Sequence, residues 1–476
     1  MFLKQYYLSC LAHASYLIAD EQTKTAAVID PQRDVEQYLD EAESQGWNIR
    51  YVFLTHFHAD FLAGHLELRD RTGAEVCLGS NAKAEYPFKA LPDGATIEFG
   101  QVGLSVLETP GHTPEGISIL VHDLANNAEK PYAVFTGDTL FIGDVGRPDL
   151  MASIGVTAEQ LGGMLYDSLH TKLLPLPDET LVYPAHGAGS MCGKNLSSDT
   201  VSTMGTQRQY NYALQPMSRD QFIHLVTMDQ PEAPEYFGYD AELNRKERQT
   251  LDQAIRKQLN PLALQDLLEI QKESVQILDV RDPADFAGGH MKGSINIGLG
   301  GKFATWAGTV LSREIPILVI AEPGREQEAI RRLGRIGFDH VAGYLDGGMA
   351  ELESRPDLIR KVARMTAATL AERLATTNPP QVLDVRTKKE GGKGRSDHSM
   401  NIPLPHLLKK FAQVPHEQPV VVHCASGYRS SIAVSLLEQV GFRNVIDLVG
   451  GFEAWEKTSR GHGSLLQSSP TCSTST

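Results

Sequence analysis

Histidine and aspartate side chains stand at the ends of several short apolar runs in this chain, and their types suit metal binding. Neutral imidazole nitrogens and carboxylate oxygens are donors that bind zinc and non-haem ferrous iron. Most single histidines are surface or core residues, so the prediction depends on the recurrence of such side chains in successive loops. The candidate ligands of this metal centre are His56, His58, Asp60, His112, Asp138 and His186.

A second group of reactive side chains follows the apolar run 420–423, which leads directly into Cys424. The backbone N–H groups of the short loop after it converge on its first side chain, and the following helix N-terminus adds positive potential. Both effects favour a thiolate at Cys424, a nucleophile able to hold a persulfide. We expect Gly427 to line the substrate site and Arg429 to stabilise an anionic sulfur donor or acceptor. An inert buried cysteine would not need this arrangement.

The metal-type side chains require strands that end close together. From Met1 to about residue 245, short β-like runs alternate with helical stretches, which is the pattern of an α/β fold. Such runs occur at 25–30, 50–54, 104–108, 133–136 and 180–183. Most candidate ligands follow one of them immediately, where α/β folds place their chemistry. The first residues, 1–7, are predicted to form a strand.

The rest of the chain contains an internal repeat. The segment 277–281 (Ile-Leu-Asp-Val-Arg) recurs as 382–386 (Val-Leu-Asp-Val-Arg), an offset of about 105 residues. Strands separated by helical stretches within each copy predict a parallel sheet. In the first copy Ala321 stands where the second has Cys424, so the first copy cannot carry sulfur. We expect it to be a structural or docking copy.

Size and composition limit the class of function. At 476 residues the chain is too long for one core, and a net charge of −15 argues against nucleic acid or an acidic membrane as partner. No apolar run approaches ~18 residues, the length that spans a bilayer. Five scattered cysteines and an N-terminus unlike a signal peptide predict a reducing, cytoplasmic location.

Residues 1–245 resemble the metallo-β-lactamase superfamily, through His56-x-His58-x-Asp60, Gly111-His112, Gly137-Asp138 and Ala185-His186. Within it they are most similar to the persulfide dioxygenases, the sulfur dioxygenase branch related to glyoxalase II. The resemblance implies an αββα sandwich with one iron(II) per domain, bound through two histidines and one aspartate. Carried onto this chain, the ligands are His56, His112 and Asp138.

The residue after Asp60 departs from the family pattern, because Phe61 stands where a histidine is usual. In the dinuclear hydrolases of the superfamily, the second metal ion depends on that histidine. Without it, we expect a poor second site and a single iron. His58, Asp60 and His186 would then orient ligands or move protons. A set of two histidines and one carboxylate leaves three positions open on iron, enough for a thiolate-type sulfur and O₂.

Three further residues of this domain have two interpretations each. Arg147 and Asp149 could anchor the carboxylate of a glutathione-type substrate or form a structural ion pair. Cys192 lies in a Gly-rich segment after His186. It could be an accessible thiol near the site or an ordinary small buried residue.

The two repeats resemble rhodanese domains, through Leu278-Asp-Val-Arg281 with Gly289-His290 in the first and Leu383-Asp-Val-Arg386 with Asn401-Ile-Pro403 in the second. The six-residue loop from Cys424 to Arg429 matches sulfurtransferases, since cysteine phosphatases of the same fold tend to have a longer one. The resemblance implies sulfur transfer at Cys424. The second repeat departs from the pattern at 388–395, a basic, Gly-rich segment that could gate the site or bind an anionic substrate.

The expected order is a metal domain (1–245), a linker helix (246–260), an inactive rhodanese-like domain (261–358), an active one (362–460) and a disordered tail (461–476). This order resembles bacterial persulfide dioxygenase–rhodanese fusions. It implies that a low-molecular-weight persulfide is oxidised by O₂ to sulfite, and that Cys424 adds sulfane sulfur to form thiosulfate. The alternatives are a glyoxalase II-type thioester hydrolase and a non-enzymatic persulfide sensor or sulfur carrier. Family analogy also leaves room for a homo-oligomer.

Overall fold

The computed structural model describes residues 1–150, 155–392, 394–396, 399–461 and 466–467. They divide into two compact units. Unit 1 comprises Met1–Arg256 with Arg331–Asp339, and unit 2 comprises Lys257–Ile330 with His340–Thr476. The predicted tail, 461–476, lies almost entirely outside the described residues.

The first sheet of unit 1 contains six strands in the order β1-β2-β3-β4-β5-β6. The strands are β1 (Phe2–Leu8), β2 (His13–Asp20), β3 (Thr25–Ile29), β4 (Asn48–Phe53), β5 (Glu75–Gly79) and β6 (Lys89–Leu91). The first three pair antiparallel, and β3 to β6 pair parallel. Every residue of β2 is buried, as expected for a strand covered on both faces.

The second sheet of unit 1 has the order β12-β11-β10-β9-β8-β7. Its strands are β7 (Thr96–Phe99), β8 (Val102–Glu108), β9 (Ile117–Asp123), β10 (Ala133–Gly137), β11 (Leu181–Pro184) and β12 (Ser202–Thr203). Side chains of both sheets form one core, as Ile18 and Phe53 of the first sheet pack with Ile119 and Phe135 of the second. Burial of this shared face is what holds the two sheets together.

Helices cover the outer faces of both sheets. They are α1 (Glu36–Gln45), α2 (His65–Thr72), α3 (Ala158–Ser168), α4 (Met204–Tyr210), α5 (Arg219–Thr227), α6 (Tyr236–Leu243) and α7 (Leu251–Gln258). Tyr38 of α1 packs on the first sheet, and Leu165 of α3 and Phe222 of α5 pack on the second. The predicted αββα sandwich is therefore confirmed. Residues 246–250, expected within the linker helix, are not helical.

Unit 2 contains two five-stranded sheets with the same topology, β13-β18-β17-β14-β16 and β20-β25-β24-β21-β23, and all their pairings are parallel. The first repeat has strands β13 (Pro261–Leu262), β14 (Gln276–Asp279), β15 (His290–Met291), β16 (Ser294–Asn296), β17 (Ile317–Ile320), β18 (Val341–Leu345) and β19 (Ile359–Arg360). Its helices are α8 (Leu264–Ile270), α9 (Pro283–Gly288), α10 (Phe303–Val310) and α11 (Glu326–Arg335).

The second repeat follows the same plan. Its strands are β20 (Ala363–Met365), β21 (Gln381–Asp384), β22 (Arg395–Ser396), β23 (Ser399–Asn401), β24 (Val420–His423), β25 (Val445–Leu448) and β26 (Leu466–Gln467). Its helices are α12 (Ala367–Leu374), α13 (Lys388–Gly392), α14 (Leu407–Lys410), α15 (Tyr428–Gln439) and α16 (Gly451–Gly461). The predicted repeat of two parallel-sheet domains is thus confirmed. None of the helices in the described ranges is both long and apolar enough to cross a membrane.

Candidate metal centre and cysteine loop

His56, His112 and Asp138 converge inside unit 1, each in a loop that follows a strand of the sandwich. One potential ligand atom of each lies within 4.8 Å of those of the other two, and all three side chains are buried. His112 Nε2 is 3.4 Å from Asp138 Oδ2, and His56 Nε2 is 3.6 Å from the same oxygen. Two imidazoles therefore face one carboxylate oxygen.

The outer atoms of these side chains are held by neighbouring groups. Thr55 Oγ1 donates to Asp30 over 2.8 Å, so it must accept from His56 Nδ1, which lies 3.0 Å away. His112 Nδ1 donates to the carbonyl oxygen of Arg147 over 2.9 Å. Both imidazoles are thereby fixed in the tautomer whose Nε2 carries a free lone pair, the form that binds metals.

The inward atoms of this cluster are unsatisfied. His56 Nε2 and Asp138 Oδ2 are buried and have no hydrogen-bond partner among the described residues. An unsatisfied buried polar atom costs about 1–3 kcal/mol, so a group that binds there relieves a real penalty. Two neutral nitrogens and one carboxylate oxygen form the donor set of a metal ion, and these residues fit one.

Electrostatics keep the cluster in its metal-binding protonation state. Burial holds the pKa of His56 well below its ordinary value and also lowers the pKa of His112. Burial opposes ionisation of Asp138, but the attraction of His186 and its hydrogen bond to the carboxylate outweigh burial and hold the pKa of Asp138 well below the usual range. The site therefore offers neutral imidazoles and an ionised carboxylate.

A second group, His58, Asp60 and His186, adjoins the first, and its potential ligand atoms also lie within 4.8 Å of one another. His186 contacts both groups, with Nδ1 2.7 Å from Asp138 Oδ1 and Nε2 3.0 Å from Asp60 Oδ2. The Phe61 ring lies against His58 at a centroid distance of 4.5 Å. Phe61 is buried and adds no donor where the sequence pattern of the family has a nitrogen.

Two residues around this loop were not foreseen from the sequence. His13 of β2 is fully buried, and its ring centroid lies 4.1 Å from that of Phe61. A histidine at the start of a mostly apolar strand was the available signal for it. Asn244 donates to the carbonyl oxygens of His58 and Phe61, each at a distance of 2.8 Å, and no sequence pattern marks that contact.

Arg147 and Asp149 form a bidentate ion pair inside unit 1, with two N–O distances of 2.7 Å. Arg147 is 1% exposed, and its guanidinium also donates to the carbonyl oxygens of Met191 and Pro231. A guanidinium engaged in this way is not presented to a substrate. The contacts favour the structural ion pair over the substrate anchor, and the Arg147 carbonyl also orients His112.

Cys192 is buried, and its sulfur lies within 4.8 Å of ligand atoms of Asp138 and His186. Burial raises the pKa of its thiol well above the ordinary value, and the carboxylates of Asp60 and Asp138 raise it further. The thiol is thus beside the metal cluster, in the interior of the unit.

In unit 2, Cys424 directly follows β24 and is 1% exposed. The Gly427 N–H donates to Cys424 Sγ over 3.1 Å, and Ser430 Oγ lies 3.8 Å from the same sulfur. Gly427 has φ of 121°, a conformation that favours glycine. The predicted convergence of the loop on Cys424 is therefore present at Gly427.

Arg429 forms a bidentate ion pair with Glu390 of α13, over 2.7 and 2.8 Å. Glu390 also accepts from the backbone N–H and the hydroxyl of Thr387, both over 2.9 Å. The acidic partner lies in the segment that the sequence pattern marked as basic and Gly-rich. The guanidinium of Arg429 is therefore paired with a carboxylate that the sequence did not predict.

Two family models match three regions of the chain: "Metallo-beta-lactamase superfamily" matches residues 8–186, and "Rhodanese-like domain" matches 263–355 and 366–458. Hydroxyacylglutathione hydrolase GloC of Haemophilus influenzae is 31% identical over 205 residues, covering 38% of this chain and 89% of that protein. Mitochondrial persulfide dioxygenase ETHE1 of Bos taurus is 30% identical over 220 residues, covering 44% of this chain and 75% of its own length.

Among solved structures, a metallo-beta-lactamase from Staphylococcus aureus subsp. aureus COL is 31% identical, with a TM-score of 0.65. The match covers 72% of this chain and 98% of that one, so it extends beyond the first 245 residues. A hydrolase and a dioxygenase are thus similar to this chain at nearly the same identity.

Proposed function

This chain belongs to the metallo-beta-lactamase superfamily and carries two C-terminal rhodanese-like domains, and from that premise we propose that it oxidises a low-molecular-weight persulfide, such as glutathione persulfide, with O₂. The oxidation balances as RSSH + O₂ + H₂O → RSH + SO₃²⁻ + 2 H⁺. The sulfite is then converted to thiosulfate by sulfur transfer from Cys424.

The proposed oxidation rests on the arrangement of His56, His112 and Asp138. Neighbouring groups hold the outer atoms of these side chains, and the inward atoms face one another. Iron(II) held by these side chains, one per chain, would supply the redox chemistry with O₂ that zinc lacks. The Phe61 ring lies against His58, whose ring in turn contacts that of His56. His186 holds the second oxygen of Asp138 and links it to Asp60.

The sulfur transfer depends on the loop around Cys424. The Cys424 thiolate attacks the outer sulfur of a second persulfide, so that its S–S bond breaks, a thiol leaves and a Cys424 persulfide forms. Sulfite then attacks the outer sulfur of that persulfide, which gives thiosulfate and restores the thiolate. The Gly427 N–H points at the sulfur that must bear negative charge in both steps. Fusion of the two activities raises the local concentration of sulfite.

A thioester hydrolase of glyoxalase II type is the second candidate. It is favoured by the similarity to hydroxyacylglutathione hydrolases and by the proximity of His58, Asp60 and His186, which could hold a second cation. It requires two metal ions per chain, and Phe61 removes the nitrogen expected for the second. A non-enzymatic persulfide sensor or sulfur carrier would use Cys424 to hold sulfur and the cysteine-free repeat for docking.

Metal analysis of the full-length protein combined with O₂ uptake separates these functions. We expect a single iron per chain and rapid O₂ uptake on glutathione persulfide, which His112→Ala abolishes. His122→Ala, on the partly buried strand β9, is the matched control and should retain uptake. Two bound zinc ions with hydrolysis of a glutathione thioester and no O₂ uptake would favour the hydrolase. Absence of any metal-dependent O₂ uptake would contradict the oxidation.

A further inference from the structure

One face of α15 makes a continuous series of contacts with the cysteine-free first repeat, and both lie in unit 2. The contacting positions are spaced three, four, three and one residue apart, as on a single helix face. They are Tyr428, Ser431, Ser435, Glu438 and Gln439. This helix begins directly after the Cys424 loop, so the face leads from the first repeat to the nucleophile.

Polar contacts dominate the middle and the far end of this face. Ser431 Oγ donates to Asn296 Oδ1 over 2.6 Å, and Ser435 Oγ accepts from the Asn296 backbone N–H over 3.1 Å. Glu438 and Gln439 reach His290 and the Gly293 carbonyl oxygen at 3.0 and 2.9 Å. These bonds fix the helix axis and its rotation relative to the first repeat.

Tyr428 is the one member of the face that also belongs to the cysteine loop. Its hydroxyl donates to the carbonyl oxygen of Gly298 in the first repeat, over 2.6 Å. Tyr428 stands between Gly427, whose N–H reaches the Cys424 sulfur, and Arg429, which carries the positive charge of the loop. An anchor on its side chain therefore constrains the backbone that places both groups.

The first repeat has a Gly-rich run at 298–301, Gly-Leu-Gly-Gly. A Cβ at Gly301 would lie 2.4 Å from Cε2 of the Tyr428 ring, so the ring occupies the space that a side chain would need. Gly298 supplies the carbonyl that accepts from the hydroxyl. The run thus forms a seat shaped for this tyrosine.

We propose that the cysteine-free repeat is a working part of the sulfur-transfer site, because its glycine seat holds Tyr428 as a positioning residue for Cys424. The inference rests on the proposed sulfur transfer and adds the residue and surface that organise it. It assigns a function to a repeat that has Ala321 in place of a nucleophile. The first repeat holds the loop through the Tyr428 hydroxyl.

The test compares full-length Tyr428→Phe with wild type in sulfur transfer from thiosulfate to cyanide. Rates are normalised to the sulfane sulfur loaded per chain, which removes the contribution of unfolded protein. Loss of one net hydrogen bond in the transition state predicts a decrease of about two- to tenfold in kcat. We expect the KM for thiosulfate and O₂ uptake on persulfide to stay unchanged.

Two further variants make the result specific. Gln439→Ala removes a bond from the same helix face far from Cys424, and it should transfer sulfur like wild type. Gly301→Ala disturbs the seat from the first repeat, and it should lower kcat as Tyr428→Phe does, which keeps the test valid if the tyrosine variant does not fold.

Wild-type kcat in both Tyr428→Phe and Gly301→Ala would overturn the inference. An equal loss in Gln439→Ala would also overturn it, since the face would then be a general domain contact. If wild-type protein transferred no sulfur through Cys424, the proposed function itself would fail, and the inference with it.

Discussion

His186 Nδ1 lies 2.7 Å from Asp138 Oδ1, and this contact leaves Oδ2 of the same carboxylate facing His56 and His112. Burial alone would lower the pKa of His186, but the carboxylates of Asp138 and Asp60 outweigh it and raise that pKa well above the ordinary value. We therefore propose that His186 supports the Asp138 carboxylate and orients it.

Removal of this support should weaken iron binding while leaving the three proposed ligands in place. We expect His186→Ala to lower the affinity for iron by about 10- to 100-fold, the range found when orienting partners of metal ligands are lost. Competition with a coloured chelator measures it. His224→Ala, an exposed histidine of α5, is the control and should bind like wild type. An unchanged affinity in His186→Ala would show that Asp138 needs no such partner.

Phe61→His should restore the nitrogen that the family pattern places after Asp60. The new imidazole would join Asp60 and His186 and complete a second metal site. In the present structure Asp60 Oδ2 lies 3.0 Å from His186 Nε2. We expect this variant to retain a second zinc ion per chain after incubation with zinc and dialysis. Phe61→Leu, which removes the ring without adding a donor, should not. Equal zinc contents in the two variants would contradict the assigned effect of Phe61.

Gly427→Ala should show whether the conformation of the cysteine loop affects sulfur transfer independently of the stability of the fold. Its φ of 121° imposes a strain of about 1–3 kcal/mol on any residue with a Cβ. Gly441 has φ of 98° and open space around it, so Gly441→Ala carries a similar strain away from the cysteine loop. We expect both variants to melt at lower temperature, but only Gly427→Ala to lose sulfur transfer per folded chain. Equal transfer would contradict the role of the Gly427 N–H.

The ion pair of Glu390 and Arg429 should make stability depend on acid pH. Hydrogen bonds from Arg429 lower the pKa of Glu390 from 4.5 to about 2, against the opposing effect of burial. A lowered carboxyl pKa means that the pair stabilises the fold above about pH 4.5, and that this contribution is lost as the pH falls toward about 2.

The stabilisation is about 0.2–1 kcal/mol, because the pair is partly exposed to solvent. Glu390→Gln should therefore melt below wild type at neutral pH, with a difference that shrinks on acidification. A double-mutant cycle with Arg429→Gln isolates the contribution of the pair. A melting difference independent of pH would contradict this account.

The convergence of His56, His112 and Asp138 was predictable, because each stands directly after a β-like run and strand ends meet in an α/β fold. The internal repeat was predictable for a similar reason, since Leu278-Asp-Val and Leu383-Asp-Val mark equivalent strands. Both predictions depended on local patterns that recur along the chain.

Contacts between distant segments could not be predicted in this way. Asn244 stands at the predicted end of the metal domain with no motif around it, yet it is buried and holds the loop of His58 and Phe61 from more than 180 residues away. The carboxylate that pairs with Arg429 is that of Glu390, in a segment whose lysines and glycines suggested only positive charge and flexibility. Such pairings depend on how loops pack, which the order of residue types does not encode locally.

We propose that one chain carries out both the oxidation and the sulfur transfer, and product analysis of Cys424→Ser tests this most directly. Wild-type and variant protein are given the same glutathione persulfide, and O₂ uptake, sulfite and thiosulfate are measured together. We predict equal O₂ uptake, with thiosulfate from the wild type and sulfite in its place from Cys424→Ser. Unchanged thiosulfate production by the variant would contradict the account.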